Sequence, residues 1–197
     1  MLVSDGNIIP NIELQIASVE QNGHAIQYIK APSEKVQLAA VGKWAYAIQH
    51  IEEPSEEVQL AAVRRSGHAI QYIKRPSEKV QLAAVEQNGH AIQYIKKPSE
   101  NIQFAAVQKD GRAIQYIKEP SKELQIAAVE QNVHAIRHIE KPCEEIQQFV
   151  GRAKQTAKRT KPNDKVPGEK SVIQSTQALA TASSKDKGRR LPAFGCF

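Results

Sequence analysis

The stretch VQLAAVEQNGHAIQYIKKPS, Val80–Ser99, is the key to the architecture because nearly the same residues recur along the whole first part of the chain. Residues 58–77 read VQLAAVRRSGHAIQYIKRPS, and residues 36–55 read VQLAAVGKWAYAIQHIEEPS. Prolines recur every 22 residues, at Pro10, Pro32, Pro54, Pro76, Pro98, Pro120 and Pro142. A fixed period of this length is typical of proteins built from stacked repeats. The sequence therefore predicts six tandem repeats over residues 10–141.

Each repeat carries the signals of two helices, shown here for the fourth repeat. Ser77 is a predicted N-cap, and the first helix should then continue to Gln87. Asn88-Gly89 should end this helix, with the glycine in the left-handed conformation that favours a helix C-terminus. A second, shorter helix is predicted over residues 90–96, because the proline that follows cannot continue it.

Two repeats lack the glycine of this turn, since Ala45 and Val133 stand in its place. A β-branched residue is strained in the left-handed region of the backbone. We therefore expect the turn at Val133 to be the most strained of the six.

The apolar pattern predicts that neighbouring repeats must pack on one another. Val80, Leu82 and residues 83–85 place apolar side chains almost all round the first helix, as in helices buried on several sides. Neither helix is long enough to persist alone, because isolated helices below about 12–15 residues are marginal. The predicted fold class is all-α, an α-solenoid of six 22-residue helical-hairpin repeats.

The two ends of the chain depart from the repeat. Residues 1–9 are too short for a full unit and are predicted to form a partial N-terminal cap. Residues 142–160 combine apolar residues at helical spacing with a polar face, which predicts an amphipathic capping helix. Residues 161–197 are poor in large apolar residues and are predicted to be a disordered, flexible basic tail.

The positive charge is concentrated in that C-terminal part. The net charge of +6 combines 16 Lys and Arg against 18 Asp and Glu up to Gln148 with 11 against 3 thereafter. Basic segments bind phosphate backbones without sequence preference and in a salt-dependent way. Nucleic-acid association is therefore the alternative function, and its candidate residues are Arg152, Lys154, Lys158, Arg159, Lys161 and Lys165.

The motif Leu82–Val85, followed by Asn88-Gly89 and Ala91-Ile92, resembles a family of short helical repeats of bacterial and phage type whose function is unknown. The similarity covers residues 10 to about 141. It implies an all-helical fold, and it brings no catalytic residue, cofactor or partner with it.

Histidines raise the question of a metal site. His134 and His138 lie four residues apart, on one face of a helix, and Cys143 follows. This spacing suits a transition metal. A fourth ligand is not evident, and each histidine occupies a column that the repeat explains. The sequence therefore predicts surface histidines, with metal binding as a lesser alternative and no cofactor.

No pattern of an enzyme occurs, whether a nucleophile–base pair, a glycine-rich phosphate loop or paired catalytic carboxylates. The predicted function is a non-enzymatic scaffold that binds a protein partner, and the chain is expected to be a monomer in the reducing cytoplasm, without a membrane span. The glutamine columns hardly vary, so a base-by-base RNA reader is not expected. The candidate partner-binding residues are Trp44, Tyr46, Arg64, Arg65, Lys109 and Arg112.

Overall fold

The computed structural model describes residues 12–148, and every regular element in this range is helical. Six α-helices of ten residues alternate with six 3₁₀ helices of six residues. The α-helices, α1–α6, are Ile12–Gln21, Glu34–Lys43, Glu56–Arg65, Glu78–Gln87, Glu100–Lys109 and Lys122–Gln131. The 3₁₀ helices, η1–η6, are Gly23–Tyr28, Ala45–His50, Gly67–Tyr72, Gly89–Tyr94, Gly111–Tyr116 and Val133–His138. Residues 144–148 are also helical.

The pairs stack in the order of the sequence, which confirms the predicted helical-repeat solenoid. Each α-helix packs against the α-helix of the next repeat, and each 3₁₀ helix packs against the next 3₁₀ helix. Each 3₁₀ helix also contacts the α-helix of its own repeat and that of the repeat after it. Among the described residues, those up to Glu140 belong to one compact unit, and residues 141–148 belong to a second. Among the described residues, no helix has the length and apolar character needed to cross a membrane.

The second element of each repeat is a 3₁₀ helix and is shorter than the predicted helix. In the fourth repeat it covers Gly89–Tyr94 instead of residues 90–96. The Asn88 side chain, expected to help end α4, instead caps η4 by accepting a hydrogen bond from the His90 N–H at 3.0 Å. The Ala91 N–H donates to the Asn88 carbonyl at 2.8 Å, which closes the tight three-residue turn.

The core lies between the two layers and repeats with the sequence. In the fourth repeat it contains Val80 and residues 84–85 from α4 and residues 91–92 from η4, all at most 1% exposed. Leu82 and Ala83 are only half-buried, so α4 is not enclosed on all sides as its apolar pattern predicts. The α-helical layer therefore presents a partly apolar outer surface.

Four of the turns contain a glycine, which permits a close backbone approach to the next repeat. The predicted left-handed conformation at Gly89 is wrong: its φ is not positive, and Asn88 before it is extended at φ −148° and ψ 111°. A Cβ at Gly89 would lie 2.5 Å from the carbonyl oxygen of Ala106, in the α-helix of the next repeat. The absence of a side chain lets the two repeats approach this closely.

The strain expected at Val133 is also absent, because this position of the turn does not adopt the left-handed conformation. Among the described residues other than glycine, only Ala31 and Glu119 have a positive φ. Val133 therefore adopts ordinary backbone geometry, and its side chain is 40% exposed. Ala45 is the other residue that replaces a turn glycine. Its methyl group is accommodated within the stack, and the residue is 4% exposed.

Serine hydroxyls connect successive helix N-termini. The Ser77 Oγ accepts a hydrogen bond from the Val80 N–H and donates to Glu56 Oε1 of the preceding repeat at 2.6 Å. Ser99 donates in the same way to Glu78, and Ser55 to Glu34. The capping serine thus joins neighbouring repeats as well as starting its own helix.

Glutamines at the fourth position of the α-helices stabilise the loop that precedes the helix. Each donates its Nε2 hydrogen bond to the carbonyl of the proline five residues earlier, as Gln81 does to Pro76 at 2.9 Å. The same hydrogen bond is made by Gln37, Gln59, Gln103, Gln125 and Gln147. These amides are occupied within their own repeats, so their invariance has a structural cause.

We expect Gly89→Ala to destabilise the stack by about 1–3 kcal/mol, because the added methyl group forces the Ala106 carbonyl away. Urea denaturation followed by circular dichroism measures the change. Gly42→Ala is the matched control, since a Cβ there meets nothing within 4 Å and alanine favours the helix. Equal effects of the two substitutions would contradict the close-approach explanation.

Ser77→Ala should lower the free energy of unfolding by about 1 kcal/mol, because it removes both a helix cap and a contact between repeats. Ser33→Ala is the comparison. The Ser33 Oγ is buried without a hydrogen-bond partner, and Ile12 occupies the place of its glutamate. This second substitution should be neutral or stabilising in the same denaturation experiment. A larger loss at Ser33 than at Ser77 would refute the assignment.

Candidate functional site

Exposed tyrosines form a regular array on the 3₁₀ layer. Tyr72, Tyr94 and Tyr116 each end a 3₁₀ helix, and their side chains remain 37–40% exposed. Exposed cations follow each ring within three residues, and these are Lys74, Arg75, Lys96, Lys97 and Lys118. We call this surface, made of the three tyrosines and five cations, the tyrosine–lysine face.

Each tyrosine ring is oriented by an aromatic ring of the preceding repeat. His90 contacts Tyr116 edge-to-face with ring centroids 5.5 Å apart, and His68 contacts Tyr94 in the same way at 5.7 Å. Tyr46 takes the place of the histidine beside Tyr72, at 5.8 Å. Edge-to-face pairs are a favoured aromatic geometry, so these contacts restrict the orientations of the exposed rings.

Two predicted partner-binding residues, Trp44 and Tyr46, belong to the same layer and are half-buried. Trp44 stacks on His24 with ring centroids 3.5 Å apart, and its ring also lies 6.2 Å from that of His50. The Tyr46 hydroxyl accepts a hydrogen bond from Ser66 at 3.3 Å. Trp44 is therefore packed into the row of rings and is not a freely exposed loop residue.

Asp110 and Arg112 of the fifth repeat form a charged cluster with His90 of the fourth repeat. Arg112, predicted to bind a partner, donates two side-chain hydrogen bonds to Asp110, at 3.1 and 2.8 Å. His90 Nε2 lies 3.0 Å from the Asp110 carboxylate on its other side. The Arg112 guanidinium and these hydrogen bonds lower the pKa of Asp110 to about 2. Arg112 thus partly offsets the negative charge of Asp110, which lies between Tyr94 and Tyr116 in the sequence.

A groove lies on the α-helical layer between α3 and α4. Its volume is about 340 Å³, and its lining includes the apolar Leu60, Leu82 and Ala83. Arg64, Lys79, Glu86 and Gln87 complete the lining. Arg64 is thus the predicted partner-binding residue that the structure places beside an apolar surface.

The six predicted partner-binding residues fall into two groups. Trp44, Tyr46 and Arg112 lie at or beside the 3₁₀ helices, whereas Arg64, Arg65 and Lys109 are exposed at the C-terminal ends of α3 and α5. The prediction treated them as one set because they vary between repeats. The structure divides them between two layers, so they do not form a single contact surface.

His134, His138 and Cys143 lie within the described range, and Cys143 is half-buried. Burial raises the pKa of this thiol. Nowhere in residues 12–148 do three or more His, Cys, Asp or Glu side chains come together in a way that could hold a metal ion.

Several predictions concern residues outside the described range. They include the N-terminal partial cap at 1–9, most of the capping helix at 142–160 and the flexible tail at 161–197. The nucleic-acid candidates Arg152, Lys154, Lys158, Arg159, Lys161 and Lys165 lie there too.

Sequence reasoning missed the Asp110–Arg112–His90 cluster and the Tyr–His pairing. The Asp110-x-Arg112 spacing was a usable signal for the first, since a capping aspartate and an arginine two residues on lie side by side. The pairing joins residues 26 apart, such as His90 and Tyr116. It follows from the spacing of the stack, which the sequence does not state.

Comparisons with known proteins identify no relative: no protein-family model, curated protein or solved structure matches the chain.

Asp110→Asn should make stability less dependent on pH in acid. The folded pKa of Asp110 is depressed from 3.8 to about 2, so its contribution is complete above pH 3.8 and is lost as the pH falls toward 2. Thermal unfolding between pH 6 and 2 should therefore show a shallower loss of Tm in the variant.

Arg112→Gln tests the cause of this shift, because it removes the main partner and leaves the carboxylate. It should flatten the same part of the profile. A profile as steep as that of the unaltered protein in both variants would show that Asp110 does not carry the acid sensitivity.

Proposed function

We propose that the repeat stack is a non-enzymatic interaction scaffold that binds a protein partner through its α-helical layer. The observation that carries the proposal is the α3–α4 groove, where an apolar lining meets charged residues that differ from repeat to repeat. The half-buried Leu82 and Ala83 supply apolar surface, and Arg64, Lys79 and Glu86 lie around it. Apolar surface surrounded by polar residues is the usual composition of a protein interface.

Variation between repeats supports the same surface. At the ends of α3, α4 and α5 the sequence reads Arg64-Arg65, Glu86-Gln87 and Gln108-Lys109, whereas the residues of the 3₁₀ layer are nearly constant. Specificity for one partner requires positions that differ along the surface, because identical repeats present the same chemistry at every step. The variable positions are exposed and therefore available to such a partner.

We further propose that the chain is related to the short helical repeats that its motif resembles, and that it acts as a monomer in a reducing cytoplasm. The two-element, 22-residue repeat supports the first point. The presence of only two cysteines in the whole sequence supports the location.

Nucleic-acid association through the C-terminal segment is the second candidate function. The charge of that segment favours it, with 11 Lys and Arg against 3 Asp and Glu after Gln148. Replacing Arg152, Lys154, Lys158, Arg159, Lys161 and Lys165 together by glutamine should weaken binding to a duplex oligonucleotide and reduce its salt dependence. Unchanged binding at all salt concentrations would exclude this candidate.

The double charge reversal R64E/R65E should abolish capture of the protein partner from a lysate, because it places two carboxylates at the groove. Quantitative affinity capture with cross-linking, followed by mass spectrometry, provides the measurement. The matched control is K74E/R75E, which reverses two charges on the 3₁₀ layer of the same repeat and should leave capture intact. Loss in both variants, or in neither, would contradict the groove as the binding surface.

A further inference from the structure

We propose that the tyrosine–lysine face binds single-stranded nucleic acid without sequence preference. This site is separate from the α3–α4 groove and from the C-terminal basic segment, so the inference does not depend on either function proposed above. Four properties of the described residues support it: free positive charge, oriented aromatic rings, local neutralisation of acidic groups and uniformity between repeats.

The charge of the face is positive and unpaired. Residues 66–75, 88–97 and 110–119 contain six Lys and Arg against two Asp and Glu. Within residues 12–148, the five cations of the face make no ion pair with a carboxylate. Unpaired surface cations attract phosphates, and the release of counterions makes such binding strongly dependent on salt.

The aromatic rings and the cations are both exposed and lie close together in sequence. Each exposed tyrosine is two residues before a lysine, as Tyr94 is before Lys96, and the residue between them is buried. The ring and the ammonium group are therefore both exposed, on either side of a buried isoleucine. Stacking of bases on aromatic rings beside a positively charged track is the usual means of binding single strands.

Contacts between repeats prepare the rings for stacking. The His68–Tyr94 and His90–Tyr116 pairs hold two of them edge-on, with interplanar angles of 72°. His90 Nδ1 also lies 3.3 Å from the Tyr116 hydroxyl. A ring that is already held in place loses less conformational entropy when a base stacks on it.

One acidic group of the 3₁₀ layer, Asp110, is paired. Asp110 is bound by Arg112 and by His90, so the carboxylate that would repel phosphate already has two cationic or hydrogen-bonding partners. Glu119 then follows the last lysine and marks one end of the positive stretch. With neighbouring repeats about 8–10 Å apart, the three tyrosines span on the order of 20 Å, enough for a few nucleotides.

Uniformity between repeats favours nucleic acid over an acidic protein segment. The three central repeats present the same Gln-Tyr-Ile-Lys sequence, at residues 71–74, 93–96 and 115–118. A polymer with one phosphate and one planar base in every unit matches a surface with a ring and at least one cation in each of three successive repeats. An acidic peptide would use the cations and would have no general need for the rings.

The test measures binding of the full-length chain to a fluorescein-labelled oligodeoxythymidylate of about 15 nucleotides, by anisotropy across a salt series. K74E/R75E should weaken binding at least about tenfold and reduce the log–log salt slope by about 1.4, the value for two lost phosphate contacts. R64E/R65E carries the same change of charge on the α-helical layer and should change the affinity by no more than about twofold. Similar losses in both variants would overturn the proposal, because only the net charge would then matter.

Tyr94→Ala should weaken binding about tenfold through the loss of one stacked base, whereas Tyr94→Phe, which keeps the ring, should bind almost normally. Poly-glutamate should compete far less well than unlabelled oligonucleotide. Efficient competition by poly-glutamate together with normal binding by Tyr94→Ala would assign the face to acidic protein segments instead. Absence of binding, or binding lost only when the C-terminal basic residues are replaced by glutamine, would also refute the proposal.

Discussion

Backbone contact between a turn glycine and the helix of the following repeat sets the spacing of the stack, as Gly67, Gly89 and Gly111 show. At Gly89 the distance from a Cβ position to the Ala106 carbonyl oxygen is 2.5 Å, and Gly111 makes an equally close approach to Ala128. Backbone meeting backbone leaves little freedom in the spacing of two repeats, because no flexible side chain separates them. The stack thereby acquires a nearly constant step, and groups that recur every 22 residues fall into line.

That constant step explains the other contacts between repeats. A serine reaches the glutamate 21 residues earlier, as Ser77 reaches Glu56, and a histidine reaches the tyrosine 26 residues later, as His90 reaches Tyr116. Where the sequence changes, the contact changes with it. Ser33 has Ile12 in the place of its glutamate and remains without a partner, and Trp44 enters the aromatic row by stacking on His24.

The two layers offer different surfaces because they carry different kinds of variation. Residues of the 3₁₀ layer are almost constant, and their tyrosines and lysines repeat one arrangement. At the C-terminal ends of the α-helices charge alternates between repeats, beside half-buried residues such as Leu82. A uniform surface suits a uniform polymer, whereas a varied surface suits a particular protein, and the two proposals for this chain follow that division.

Periodicity and local hydrogen bonding can be inferred from the sequence alone. They were enough to predict the all-helical class, the six repeats, the bounds of α4 to within one residue and the capping role of Ser77. The sequence also identified Trp44, Tyr46 and Arg112 as unusual. Only the tertiary structure decided that Gly89 serves close packing, that Arg112 is paired with Asp110 and that Tyr116 is oriented by His90. These last properties join residues through the distance between repeats or the orientation of side chains, and neither quantity is encoded in the local pattern.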